Sequence, residues 1–307
     1  MAEDSGIESD EESMQCAGCG VKEGDDDIKL MKCTACYLVR YCSVKCQRGH
    51  WPKHKKKCKR AAELRDEILF KQPESSHLGD CPICSLPLPS EDFSLYSCCA
   101  QTICGGCAYA SQMREIERRL QQTCPFCRHP TPNTQEEAKN NYMKRVEAND
   151  PVAMNQLGSY YDQKGDNKKA FQYYTKAAGL GNMNAHYNLS VMYEYGDGVE
   201  KDKKKELFHL EEAAIGGHAS ARYNLGCEEA KNGRLDRAVK HFIIAANMGQ
   251  DESLESLKRM YREGIVSKEK FATALRAHKA AVDATKSPQR EVAAAFYSQQ
   301  ISRAHGN

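Results

Sequence analysis

At 307 residues, with 40% hydrophobic and 28% charged side chains, the chain has room for two or three domains, and a single small module is excluded. Forty-four Lys and Arg against 42 Asp and Glu leave a formal charge of +2, so no global excess points to nucleic acid. Of sixteen cysteines, fifteen lie between Cys16 and Cys127 and only Cys227 follows, so thiol chemistry belongs to the N-terminal part. They come as Cys-x2-Cys pairs, with no secretory signature and no run approaching the roughly 18 to 20 apolar residues of a membrane span. That pattern favours metal in a reducing cytoplasmic or nuclear setting over a disulfide framework, and no membrane association is expected.

Residues 1–13 carry six acidic groups and no base, and are expected to form a disordered tail because they have too little apolar surface to offset ordering entropy. Residues 14–60 follow as a thiol-rich module. Cys16 and Cys19, Cys33 and Cys36, Cys42 and Cys46, and His54 and Cys58 form four ligand pairs, enough for two tetrahedral ions. Donors three or four residues apart, on a tight turn or one turn of helix, can aim at one ion. A core role for these cysteines is disfavoured, since the segment has few apolar residues to pack against them.

The text YCSVKCQRGHWPKHKKKC resembles the second half of a MYND zinc finger, with Tyr41, Gln47 and Trp51 at the family's positions. The resemblance, and not the spacing, assigns Cys16, Cys19, Cys42 and Cys46 to one zinc and Cys33, Cys36, His54 and Cys58 to the other. It leaves His50 outside the ligand set as a surface residue. It also implies a protein-recognition module for proline-containing peptides, whose folding requires zinc. Nothing resembles the methyltransferase domain that accompanies some MYND fingers. Residues 52–60 carry six Lys or Arg in nine positions, but His54 and Cys58 tie the run to metal, so it reads as the solvated face of the finger's last helix. Nucleic acid is the disfavoured partner, because no aromatic ladder for base stacking accompanies this run.

Residues 61–79 form a predicted helical linker, with Leu64, Ile68 and Leu69 at helical spacing. In 80–130, Cys81 and Cys84, Cys98 and Cys99, Cys104 and Cys107, and Cys124 and Cys127 make four more pairs. The run CPIC, CCAQTICGGC, CPFCR resembles a RING finger, whose cross-bracing implies one zinc on Cys81, Cys84, Cys104 and Cys107. The other would take Cys124, Cys127 and two donors from the Cys98–Cys99 region. The pattern departs at Gln101, which stands where histidine is usual, and a neutral amide is a poor zinc ligand. Either Cys98 and Cys99 both complete the set, closing tetrahedral coordination, or the site keeps three ligands. Four zinc ions are expected in all, two per finger. The resemblance further implies contacts to a ubiquitin-conjugating enzyme from Ile83 and Pro125, with Arg128 as the bridging cation. Between Cys107 and Cys124 no large aromatic stands at the usual helix contact, where Leu120 is the nearest substitute. A ligase that orients a loaded conjugating enzyme and an inactive RING-shaped scaffold both stay open.

Residues 131–148, opening on HPTPNTQ, read as a linker. From 149 to 285 the chain repeats: Leu157, Leu189, Leu225 and Leu257 are separated by 32, 36 and 32 residues. Ala177-Ala178, Ala213-Ala214 and Ala245-Ala246 allow close helix approach, and Gly179, Gly216 and Gly249 are expected to supply the positive φ that ends each second helix. The units resemble Sel-one-like repeats, cousins of the tetratricopeptide repeat, and the second keeps Gly196, Gly198, Val199 and Asp202. The fourth loses the Ala-Ala-Gly ending, as suits a cap. Cys227 reads as a small buried hydrophobe. Residues 286–307 form a C-terminal helix or tail. The expected fold is thus small zinc-stabilised α+β modules followed by an all-α helical-repeat solenoid. No Ser/His/Asp set, phosphate-binding glycine loop or His-Glu-x-x-His motif is apparent. The reading is an interaction adaptor with protein partners, and a RING-type ubiquitin ligase and then a nucleic-acid-binding regulator are the alternatives.

Overall fold

A computed structural model describes residues 15–22, 30–33 and 39–305. The acidic stretch 1–13 and the predicted ligand Cys36 lie outside the described residues. The chain divides between Lys71 and Gln72 into two compact units. No helix among the described residues is long and apolar enough to cross a membrane.

In the N-terminal unit, β1 (Met31–Lys32) pairs antiparallel with β2 (Arg40–Tyr41), Met31 opposite Tyr41. One long helix follows, α1 (Val44–Leu69). Ser43 starts it by accepting the Cys46 N–H at 3.3 Å, satisfying one of the first-turn donors that have no partner within the helix. The helix predicted separately after residue 60 is the C-terminal part of α1. From Lys53 to Leu69 there is no Gly or Pro, and Lys, Arg, Ala, Glu and Leu all favour helix, so nothing stops it after Cys58. Of the predicted apolar stripe, Leu69 is buried whereas Leu64 and Ile68 are exposed.

The second unit contains the hairpin β3 (Phe93–Tyr96) and β4 (Gln101–Cys104), with Phe93 opposite Cys104. α2 (Gly105–Glu117) starts directly from β4, its N-terminus capped by the Cys104 sulfur. The stretch predicted as a linker contains α3 (Gln135–Glu147), which Thr134 caps and which packs on α4 (Pro151–Gln163). Helix pairs then repeat: α4 with α5 (Asn167–Gly179), α6 (Met183–Tyr195) with α7 (Lys203–Ile215), and α8 (Ala219–Lys231) with α9 (Leu235–Ala246). A fourth pair, α10 (Asp251–Arg262) and α11 (Lys268–Ala284), continues the stack. α12 (Pro288–His305) ends it and turns back to pack on α2.

The four repeat leucines are all buried, as are all six residues of the Ala-Ala pairs. The glycine expectation needs correction in two units: Gly179 is the last residue of α5 and Gly216 has φ −75°, and the positive φ falls on Gly181 and Gly217. The small pair occupies the last helical turn, so the chain reverses one or two residues later. Facing positions trade volume. A Cβ on Gly158 would lie 2.5 Å from the Tyr174 ring, and one on Gly226 would lie 2.6 Å from the Phe242 ring. In the second repeat the equivalent positions hold Ser190 on α6 and Leu210 on α7, both buried.

The segment before the hairpin is fastened to the repeats by stacked rings. His77 stacks on His218 at 4.2 Å, and His218 stacks on Tyr187 at 4.5 Å. The His77 ring nitrogens meet the Gly217 carbonyl at 3.3 Å and the Asn184 side chain at 3.0 Å. Cys227 is half-buried against the Phe242 cluster.

Two predictions follow from this packing. Gly226→Ala should destabilise the repeats by about 1–3 kcal/mol through overpacking, and Phe242→Leu in the same chain should recover part of the loss, a coupling read by urea unfolding of a double-mutant cycle. The second concerns pH. Burial holds His209, His218 and His241 down to about 3, so they are neutral in the fold, whereas the unfolded chain takes up protons near 6.5. Between those values the unfolded state binds more protons, and stability must fall as pH drops below about 6.5, by up to about 1.4 kcal/mol per pH unit for each such histidine. Unfolding midpoints at pH 7 and pH 5 should show this, and His209→Phe should make the dependence shallower.

Candidate metal centres

Four groups of donors converge, each with its ligand atoms within 4.8 Å of one another: Cys16, Cys19, Cys42 and Cys46; Cys33, His54 and Cys58; Cys81, Cys84, Cys104 and Cys107; and Cys98, Cys99, Cys124 and Cys127. The first two are interleaved along the chain, as are the last two.

In the first group Cys16 and Cys19 sit on a tight turn that meets the start of α1. The Cys19 and Cys46 sulfurs each lie 3.5 Å from that of Cys42. Gly18 makes the approach possible, since a Cβ there would stand 2.7 Å from Cys46 Cβ. Burial opposes ionisation of Cys16, yet the backbone N–H groups of Cys42, Cys19 and Gly18 converge on its sulfur and hold its pKa down to about 6. Cys42, surrounded by Cys19, Cys46 and Cys16, is pushed up to about 12.

The second group is buried throughout. His54 and Cys58 stand one helical turn apart on α1 and face Cys33 beside β1, with the Cys33 and Cys58 sulfurs 3.8 Å apart. Burial, and then the charges of His50 and Lys57, lower the His54 pKa and favour the neutral imidazole that a metal requires. His50 is outside the group, and its Nδ1 meets the hydroxyl of buried Tyr41 at 3.0 Å.

The third group gathers the turn at Cys81–Cys84 and the β4–α2 junction. Backbone N–H groups of Cys104, Cys84 and Ile83 hold Cys81 down to about 6 against the effect of its burial. Cys107 N–H donates to the Cys104 sulfur at 3.4 Å, while burial and the neighbouring Cys104 push the Cys107 thiol up. In the fourth group both adjacent cysteines turn inward, Cys99 to 3.5 Å from Cys124 and Cys98 to 3.3 Å from Cys127. Ala100 next to them takes φ 55°, a left-handed conformation that is uncommon for a residue with a Cβ. Gln101 lies exposed at the start of β4, outside the group.

This donor set fits a thiophilic dication. N–H groups aimed at sulfur favour thiolate, but several thiolates within 4.8 Å repel one another unless a cation lies between them. Of the predicted contact residues, Ile83 is 47% exposed, Arg128 is exposed and Pro125 is half-buried. Leu120, Ile116 and Phe126 add apolar surface on the same module. Arg290 has no counterpart in the sequence reading: its guanidinium reaches the Cys84 sulfur at 3.4 Å. A separation of 206 residues gives no local signal for such a contact.

Residues 12–58 match the family model for the MYND finger, and 151–182, 184–218 and 219–250 match the Sel1 repeat. The chain is 26% identical over 196 residues to DAP3-binding cell death enhancer 1 of Mus musculus, covering 51% of this chain and 38% of that protein. It is 38% identical over 71 residues to histone-lysine N-methyltransferase SMYD3 of Homo sapiens, covering 22% of this chain and 16% of that protein. A solved Sel1 repeat protein from Oxalobacter formigenes is 28% identical, with 57% of this chain and 52% of that chain covered and a TM-score of 0.44. The chain spans about a third of the length of the death-enhancer relatives it matches. It thus carries a MYND finger, which implies zinc, followed by a solenoid of Sel1 repeats.

Among the described residues, three of the five in the buried cluster of the N-terminal unit are cysteines, so the apolar area they offer to hold that unit without metal is small. Treatment with a strong chelator at pH 7 should expose residues 15–71 to limited proteolysis, while the repeat helices, read by circular dichroism on the protected fragment, persist.

Proposed function

We propose that the protein is an interaction adaptor in which four zinc ions shape two recognition modules carried beside the repeats. In this reading the ligands are Cys16, Cys19, Cys42 and Cys46; Cys33, Cys36, His54 and Cys58; Cys81, Cys84, Cys104 and Cys107; and Cys98, Cys99, Cys124 and Cys127. Zinc has a structural role at each centre, since complete four-donor sets leave no open position for a substrate. A cytoplasmic or nuclear location belongs to the same proposal, because those compartments keep cysteine ligands reduced. Proteins are the partners, and the mouse relative named as DAP3-binding is in keeping with that.

The observation that carries the reading is Trp51. It is the sole tryptophan of the chain and remains 48% exposed on α1, three residues before the buried His54. A rigid aromatic face held by a metal-fixed helix suits a proline-containing peptide, whose extended conformation is largely preformed. Because no other tryptophan contributes, its emission is a direct probe. Titration with proline-containing peptides should give a saturable change in fluorescence, lost after chelation; a flat response across a peptide panel would remove this partner class.

A second reading, a RING-type ubiquitin ligase, is favoured by the exposure of Ile83 and Arg128 on loops shaped by the third and fourth groups. Such a ligase has no nucleophile of its own and works by orienting a loaded conjugating enzyme. Autoubiquitination with a panel of conjugating enzymes, lost in Ile83→Ala and Arg128→Ala, is the outcome this reading requires.

A further inference from the structure

The second cysteine-rich module does not end at Cys127. α12 returns to it from the far end of the chain, and the contact is close along its first half. The Tyr109 ring packs at 5.0 Å from Phe296 and 6.1 Å from Tyr297, and the Tyr297 hydroxyl donates to Gln112 at 3.3 Å. Gly106 permits the approach: a Cβ there would lie 2.9 Å from the Arg290 Cα and backbone nitrogen.

At this crossing Arg290 is only 6% exposed. Its Nη1 donates to the carbonyls of Pro87 at 2.7 Å and Thr285 at 2.6 Å. Its Nη2 donates to the Leu86 carbonyl at 3.3 Å and to the Cys84 sulfur at 3.4 Å. One guanidinium therefore holds the loop that follows the first ligand pair and touches a ligand atom itself. Burying a guanidinium is costly without an anionic partner, and neutral carbonyls alone do not supply one. A dication on four thiolates carries a formal charge of about −2, and an N–H donor aimed at one sulfur lowers that sulfur's reactivity and fixes its direction.

We propose that Arg290 is a positioning residue for the centre formed by Cys81, Cys84, Cys104 and Cys107, so that metal retention at this one centre depends on α12. The inference rests on the reading that these four cysteines hold zinc. Arg290 orients the Cys84–Pro87 loop through two carbonyls and offsets charge at the Cys84 thiolate. Lysine in its place keeps the charge but not the forked geometry.

The test uses the full-length, zinc-loaded protein and its Arg290→Met, Arg290→Lys and Gly106→Ala variants. Zinc release to a colorimetric chelator is followed together with mass-spectrometric mapping of maleimide alkylation at each cysteine. Arg290→Met should release one ion at least about tenfold faster and expose Cys81, Cys84, Cys104 and Cys107, while the cysteines of the N-terminal unit react at the parent rate. Arg290→Lys should fall between the two, and Gly106→Ala, which pushes α12 away with Arg290 intact, should resemble Arg290→Met. In cobalt(II)-substituted protein the sulfur-to-metal charge-transfer band should move to lower energy in Arg290→Met, a change that loosened packing alone would not produce. Release and alkylation at the parent rate in Arg290→Met would overturn the proposal, and so would uniform alkylation of all clustered cysteines in every variant. If the parent protein itself holds no ion at this centre and its four cysteines react at once, the zinc reading of the centre fails instead.

Discussion

Thiolates brought within one coordination sphere repel one another, and that repulsion sets the terms for the first 130 residues. In three of the groups backbone N–H groups are turned toward a sulfur, which lowers the cost of its charge, but the neighbouring sulfurs then resist ionising, as in the opposite shifts of Cys16 and Cys42. Only a cation between them lets the whole group ionise. The short strands, the turn at Gly18 and the helix starts at Ser43 and Cys104 are the means by which sulfur atoms distant in sequence meet. Apolar burial there is modest: in the cluster around the third group, Cys81, Cys104 and Cys107 sit among Leu88, Ile103 and Ala108, with half-buried Leu78 and Tyr96 packed against them.

The repeats rest on the opposite physics. Their core is largely apolar, built from leucines at a regular period and alanine pairs that let helices come close, with Arg222 and His241 fully buried beside them. Specificity lies in complementary volumes, glycine facing tyrosine or phenylalanine in two repeats. Buried histidines add ring area to this core and remain uncharged. The cysteine-rich modules and the repeats thus differ in what converges in their interiors, sulfur donors in the former and apolar side chains in the latter.

Much of this was legible in the sequence wherever the determining distance is short. Ligand pairs three or four residues apart and a leucine period of 32 to 36 residues are local signals, and the fold class follows from them. For the adjacent Cys98 and Cys99 the sequence left two options, both as donors or a three-ligand site, and it did not show the left-handed Ala100 that accompanies their inward turn. Helix ends were less legible. The run through Cys58 to Leu69 has no breaker, so the apparent boundary at residue 60 reflected a change of composition and not of backbone. Likewise Gly179 and Gly216 looked like terminators because they follow small residues, yet the chain reverses at Gly181 and Gly217. Contacts across 140 residues or more, such as His77 with Gly217 and Arg290 with Cys84, leave no trace at short range.

Those long-range contacts change how the repeats should be pictured. A bare solenoid would offer all its inter-repeat turns to a partner. Here the turn at Gly217–His218 and the start of α6 at Asn184 are already engaged by His77, and Asn247 is bonded to Gln72. At the other end α12 spends its aromatic residues on α2. The chain's own segments therefore occupy one edge of the solenoid and tie the second cysteine-rich module to it at both ends. A partner of the repeats must use the faces that remain, and a partner of that module meets a surface whose geometry includes the last helix. Residues 72–307 form one compact unit, and the residues that fasten the module lie on either side of it in sequence.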